Sequence, residues 1–168
     1  MRRLLSIACL VMATVIFGGC GIYSFSGTSI QSDVKTVTLN YFEYKALKVN
    51  PTLSNDLTEA MKDKFRKMTR LEQVEEDGDM DLEGAITGYD VRAAAITADE
   101  VAAKNRLTVT VHIKFTNNKY PEDNVEKDFS AYAEYDSTNT LDAVESTLCE
   151  QIVEQLAEDI FNACVAQW

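Results

Sequence analysis

Histidine occurs once in these 168 residues, tryptophan once, proline twice and cysteine four times. So few nitrogen and sulfur donors exclude an ordinary zinc site, which takes three or four of them, and neither a C-x-x-C nor an H-E-x-x-H spacing is present. A Walker A loop and a G-x-S-x-G elbow are missing as well, so phosphate-cradling and serine-hydrolase chemistry lack their usual frames. The run Glu75-Glu76-Asp77-Gly78-Asp79-Met80-Asp81 is dense in carboxylates. It does not continue into the full calcium-loop pattern and reads as a solvated acidic turn. His112 falls on the polar side of an alternating segment and reads as a solvated sheet histidine. The expectation is a protein that is not an enzyme, with no catalytic residue, no metal site and no cofactor.

Positive charge is also scarce, at 16 Lys and Arg against 27 Asp and Glu. Two of those cations, Arg2 and Arg3, open the chain ahead of an apolar stretch from Leu4 to Phe17, and Gly18-Gly19-Cys20 follows. A basic start, a short apolar stretch and a small-residue site mark a secretory signal, because a membrane span takes about 20 apolar residues. An uncleaved short anchor and twin-arginine export are the competing readings. The cysteine sharpens the choice, since Gly18-Gly19-Cys20 looks like a bacterial lipobox whose thiol accepts a diacylglycerol. Several acyl chains on one residue hold a protein durably at a membrane, at ~0.8 kcal/mol per buried methylene.

Cleavage before Cys20 removes Arg2 and Arg3 and leaves 14 basic against 27 acidic residues, a mature charge of −13. Such a balance argues against nucleic acid as a partner and against adhesion of the whole surface to anionic lipid. Cys9 leaves with the signal and Cys20 takes the lipid, so Cys149 and Cys164 remain. Both fall in one C-terminal helix, ~22 Å apart at 1.5 Å per residue, far beyond disulfide reach, and read as buried free thiols.

Three regions follow: a signal over 1–19, a lipidated tether over 20–33 rich in Gly, Ser and Thr, and one domain over 34–168. Val37, Leu39 and Tyr41 alternate with Thr36, Thr38 and Asn40, which predicts a first strand over 34–42. A loop with Lys45 and Lys48 leads to Asn50-Pro51, an N-cap and first-turn proline for an amphipathic helix carrying Leu53, Leu57, Ala60, Met61, Phe65 and Met68. Short and long strands are expected over 71–75 and 80–91. Gly84 and Gly88 share a face of the latter under strict alternation, which indicates close approach of the helix or a bulge. Segment 93–103 is ambiguous between loop and helical turn.

Arg106–Phe115 alternates without a fault and pairs with 125–135 through a turn at 117–121, forming a long hairpin. A last helix, capped by Asn139, carries Leu141, Val144, Leu148, Ile152, Leu156 and Ile160 in one stripe. Its outer face holds Glu150, Glu154, Glu158 and Asp159. Two helices with one apolar stripe each and strands with one apolar face give an α+β two-layer sandwich. Both helices cover one face of a mostly antiparallel sheet of four or five strands.

The one basic concentration is Lys62, Lys64, Arg66, Lys67 and Arg70. A helix C-terminus favours cations by ~0.3–1 kcal/mol each without any ligand, so dipole complementation and anion contact both account for it. Lys45 and Lys48 form a second cationic pair. The only residue with assignable chemistry is Cys20.

Several segments, in this order behind the lipobox, carry a resemblance: GGCGIYSFSG, VKTVTLNYF, NPTLSNDLTEAMKDKF, LEGAITGYDV, NRLTVTVHIKFTN, FSAYAEYD and IVEQLAEDIFN. Together they are similar to the LptE family, the lipopolysaccharide-assembly lipoproteins, particularly the short Bacteroidetes-type members. The resemblance implies a lipid-anchored protein of the outer membrane, facing the periplasm. It would be a non-enzymatic scaffold or plug for an LptD-like translocon β-barrel, assisting barrel assembly and lipopolysaccharide delivery. Gly21 after the lipidated cysteine is consistent with outer-membrane sorting. Lys45, Lys48, Arg66, Lys67 and Arg70 are then the candidate lipopolysaccharide contacts. The alternative from another class is a periplasmic adaptor or activator for a transporter or an envelope synthase.

Overall fold

Alternation along the central strand places Leu107, Val109, Val111, Ile113 and Phe115 on one buried face of β5 (Lys104–Asn117). The computed structural model describes residues 30–94 and 103–165. Cys20, the signal segment and most of 93–103 lie outside the described residues.

Antiparallel neighbours flank β5 on both sides: β4 (Met80–Ala93), with Leu82 opposite Phe115, and β6 (Val125–Asp136), with Phe129 opposite Val111. Ahead of them in the chain come β1 (Thr36–Leu39), β2 (Glu43–Tyr44), α1 (Leu53–Met68) and β3 (Glu72–Val74), and α2 (Leu141–Val165) ends the domain. The sheet order is β3-β1-β4-β5-β6, with β2 also beside β4. Antiparallel pairing dominates, as expected, but β1 runs parallel to both β3 and β4, and β2 runs parallel to β4. The parallel edge follows from α1, because a strand that returns through a helical crossover lies parallel to the strand before it.

Both helices cover the same sheet face. Leu53, Leu57, Met61 and Phe65 of α1 and Leu148, Ile152, Leu156 and Ile160 of α2 join one core with the sheet. The Phe65 and Phe161 rings meet edge to face at 5.2 Å, a favourable aromatic arrangement. Met68, expected in the α1 stripe, is half exposed at the helix end. Cys149 and Cys164 are buried free thiols, pushed up to about 11 and about 12 by burial.

Three local expectations change. The first strand divides because four steps from Leu39 to Glu43 face three steps from Leu82 to Ala85. One extra residue reverses the facing, so Tyr41 turns out to solvent and Phe42 is fully buried. At Gly84 the close approach is made by this phenyl ring and not by a helix: a Cβ there would stand 2.3 Å from Phe42 Cε1. Gly88 marks the bulge, since Ile86 opposes Val111 and Gly88 opposes Thr110, leaving Thr87 unpaired. The bulge ends the shared facing of Gly84 and Gly88 and brings Tyr89 and Val91 into the core side. At the helix starts, α1 begins at Leu53, two residues later than Pro51 implied, yet the Asn50 side-chain oxygen still accepts the Leu53 N–H at 3.1 Å. α2 begins at Leu141, so Thr140 and not Asn139 precedes its first residue, and the Thr140 carbonyl accepts the Ala143 N–H.

The acidic turn proves to be a structural joint. Asp79 accepts the Lys35 and Thr36 N–H groups at 2.7 and 3.2 Å and the Lys119 ammonium at 2.9 Å. These partners lower its pKa from 3.8 to about 2. Residues 30–33, expected within the tether, lie against the β5–β6 turn: Gln31 donates to Asp123, and Tyr120 donates to the Asp33 carboxylate.

Two outcomes are expected. Gly84→Ala should lower stability by ~1–3 kcal/mol in chemical denaturation, as overpacking does, and Phe42→Leu in the same chain should recover part of the loss. Equal losses with and without Phe42→Leu would contradict the contact. Asp79 is depressed in the folded state, so its contribution is complete above about pH 4 and disappears as pH falls toward 2. Melting temperature against pH should therefore fall less steeply in that window for Asp79→Asn than for the wild type.

Candidate functional site

The cations of α1 are largely matched by carboxylates of the same fold. Lys62 pairs with Glu59 at 2.9 Å, and Arg66 and Lys67 share Asp63 at 2.5 and 3.9 Å. Lys64 reaches across to Glu158 of α2 and lies 5.9 Å from the Phe161 ring. It therefore joins the two helices. Arg70 stands exposed two residues past the helix end. Helical spacing accounts for the Glu59 and Asp63 pairs, which are exposed and individually weak.

The second pair, Lys45 and Lys48, stands elsewhere. Lys45 meets Glu43 at 2.6 Å, and its N–H donates to the Ile86 carbonyl at 2.9 Å, the last contact of the chain with β4 before the loop departs. Lys48 lines a groove of about 810 Å³ together with Leu47 from the loop, Arg92 and Asp90 from β4, and Arg106 from β5. The groove floor is polar, with the Thr87, Thr108 and Thr110 side chains of the wet sheet face. Arg92 pairs with Asp90 at 2.7 Å, and Arg106 pairs with Glu134 at 2.5 Å, its guanidinium 4.0 Å above the Tyr132 ring. Among the described residues, three cations and one carboxylate thus line this groove.

The loop is held rigidly from below. The Tyr44 hydroxyl donates to the Lys48 carbonyl at 2.5 Å and accepts the Asn50 N–H at 3.2 Å. Buried Asn50 uses its side-chain oxygen for the Thr52 and Leu53 N–H groups and its amide for Glu145 at 3.1 Å. Tyr89 also donates to Glu145. Burial and the neighbouring Glu145 carboxylate raise the Tyr89 pKa, so its hydroxyl stays a donor. Leu47 is fully exposed and Val49 nearly so. The helix α1 start, the loop and α2 are joined through this one set of hydrogen bonds.

His112 lies on the wet face, with Nδ1 2.8 Å from Asp128 and Nε2 3.6 Å from Glu126. It borders a shallow depression with Lys45, Glu83 and Lys114. A nucleophile does not accompany it among the described residues, and no cluster of metal-ligating side chains occurs there. Cys20 lies outside the described residues. Sequence reasoning identified Lys45 and Lys48 but missed Arg92 and Arg106, which the β4–β5 pairing brings to the groove lined by Lys48. It also missed Leu47 and Val49, although two aliphatic residues interleaved with lysines between a strand and a helix cap were a readable signal.

Residues 34–164 match the LptE family, described as lipopolysaccharide-assembly. The curated proteins compared yield no match. Among solved structures, the hypothetical protein CT253 from Chlamydia trachomatis is similar with a TM-score of 0.53 at 7% identity, over 80% of this chain and 99% of that one. A minor lipoprotein from Acinetobacter baumannii aligns with a TM-score of 0.45 at 17% identity, over 71% and 89% of the two chains. At such identities the structural likeness concerns the fold alone, and the family assignment rests on the match across nearly the whole folded domain. The chain belongs to the LptE family of lipopolysaccharide-assembly lipoproteins, which are not enzymes.

Proposed function

We propose that the protein is lipidated at Cys20 and held at the periplasmic side of the outer membrane, where it serves an LptD-like translocon β-barrel as a scaffold or plug. In this reading the signal ends at residue 19 and the tether begins at Cys20, its expected last residues 30–33 lying against the β5–β6 turn, and the protein sides with the short Bacteroidetes-type members. The observation that carries it is the family match over 34–164, behind a sequence start of signal-and-lipobox type. A wet sheet face opposite the helices supports it, because one whole layer of the sandwich is available to a partner. Deep depletion should leave misassembled barrel and lipopolysaccharide retained in the periplasm. Normal barrel assembly and normal surface lipopolysaccharide after complete depletion would overturn the reading. Pull-down from detergent extracts should recover the barrel, whereas recovery of an exporter or a synthase would favour the adaptor role.

Lipopolysaccharide itself is an anionic ligand of this assembly, and the candidate contacts separate into two sets. Arg66 and Lys67 have a shared carboxylate partner in Asp63, and Arg70 follows two residues past the helix end. Lys48 lines the groove with Arg92 and Arg106, and Lys45 borders the depression beside His112. Cations that separate strands and a loop bring to one groove bind a phosphate better than cations spread along one helix. Lys45→Glu with Lys48→Glu should therefore weaken binding of purified lipopolysaccharide several-fold more than Arg66→Glu with Lys67→Glu. Equal weakening, or none, in a direct binding titration would remove the loop lysines from this role.

A further inference from the structure

Leu47 and Val49 present a specific problem. A single exposed aliphatic side chain is ordinary, but here two stand at 104% and 79% exposure within three residues. Their loop is not slack. Tyr44 and Asn50 fix its backbone, and Asn50 in turn is tied to Glu145 on α2 and to the start of α1. Several hydrogen bonds thus hold an apolar tip in water, with Lys45 and Lys48 on either side of Leu47.

We infer that loop 45–49 is a second membrane contact, placing Leu47 and Val49 at the acyl boundary of an anionic leaflet while Lys48, Arg92 and Arg106 meet its headgroup phosphates. This rests on the reading that Cys20 is the acyl anchor. Two observations select a lipid surface as the occupant. The first is charge: on a domain whose mature charge is −13, the described residues lining the groove beside Leu47 include three cations and one carboxylate. Arg92 is paired with Asp90 and Arg106 with Glu134, but exposed ion pairs are weak, so a headgroup phosphate can compete for these cations.

The second is reach. The chain enters the domain at residues 30–33, fixed to the β5–β6 turn by Asp123 and Tyr120, where Met80 of β4 also begins opposite Asn117. The loop leaves β4 at Ile86, about 20 Å further along at ~3.3 Å per residue. The ten residue steps from Cys20 to Ile30 span up to about 35 Å. The bilayer that holds the acyl chains is therefore within reach of the loop. One acyl-bearing residue together with a basic, apolar contact is the usual combination of signals for stable interfacial binding.

Full-length lipidated protein carrying Trp168→Phe and Leu47→Trp tests this in vesicles of phosphatidylcholine and phosphatidylglycerol, with and without brominated acyl chains. Gln155→Trp, on the exposed side of α2, is the control. Flotation reports the anchor. The L47W tryptophan should emit at shorter wavelength and be quenched by brominated lipid several-fold more than the Q155W tryptophan. Lys48→Glu with Arg92→Glu, or omission of phosphatidylglycerol, should relieve much of that quenching. Protein that floats while L47W is quenched no more than Q155W overturns the inference alone, and so does shielding of L47W only when the purified barrel is added. Protein that fails to float overturns the Cys20 anchor and this inference with it. Leu47→Ser with Val49→Ser, both at exposed positions, should float through its acyl chains yet be released by mild detergent sooner than the wild type.

Discussion

The ring of Phe42 lying on Gly84 is the contact from which the site side of the molecule is organised. It requires the extra residue between Leu39 and Glu43, because only a reversal of facing turns Phe42 inward and Tyr41 outward. With the ring buried, the Phe42 N–H reaches the Thr58 hydroxyl of α1 at 3.1 Å, so the same residue locks the strand to the helix that covers it. A side chain at Gly84 would displace the ring from this place. Where β2 ends, and hence where loop 45–49 projects, follows from that packing.

Polar groups inside the sandwich show the same economy. Asn50 is buried and makes hydrogen bonds to the α1 start, to Tyr44 and to Glu145. An unsatisfied buried amide would cost about 1–3 kcal/mol, so each of these partners is a constraint on the others. Together with Lys64 and Glu158 at the other end of the helix pair, they fix α1 against α2 at two points separated along their length.

Much of this was legible in the chain. The faces of β5, the apolar stripes of both helices and the isolated thiols followed from periodicity, because a strand repeats every two residues and a helix every 3.6. Periodicity failed where one residue was inserted. At 40–42 and at Thr87 an extra residue exchanges the two faces of a strand, and alternation by itself carries no mark of it, although Gly88 offers a bulge as one of two readings. Parallel pairing of the short β3 was equally invisible, since three residues have too little pattern to choose a neighbour. The cations of α1 looked like a patch, yet Glu59, Asp63 and Glu158 already accompany them.

Sequence alone determined the class: a strongly acidic chain with two amphipathic helices and a sheet with one wet face. These are properties of local order and composition, and each residue carries them without its neighbours in space. Tertiary structure decided which cations converge on one groove, and it decided that Leu47 and Val49 stand out on a fixed loop. Arg106 lies 58 residues beyond Lys48 in the chain, and only the antiparallel register of β4 and β5 brings the two to one groove. Long-range pairing of this kind depends on packing free energy summed over the whole core, and no short window of sequence contains it.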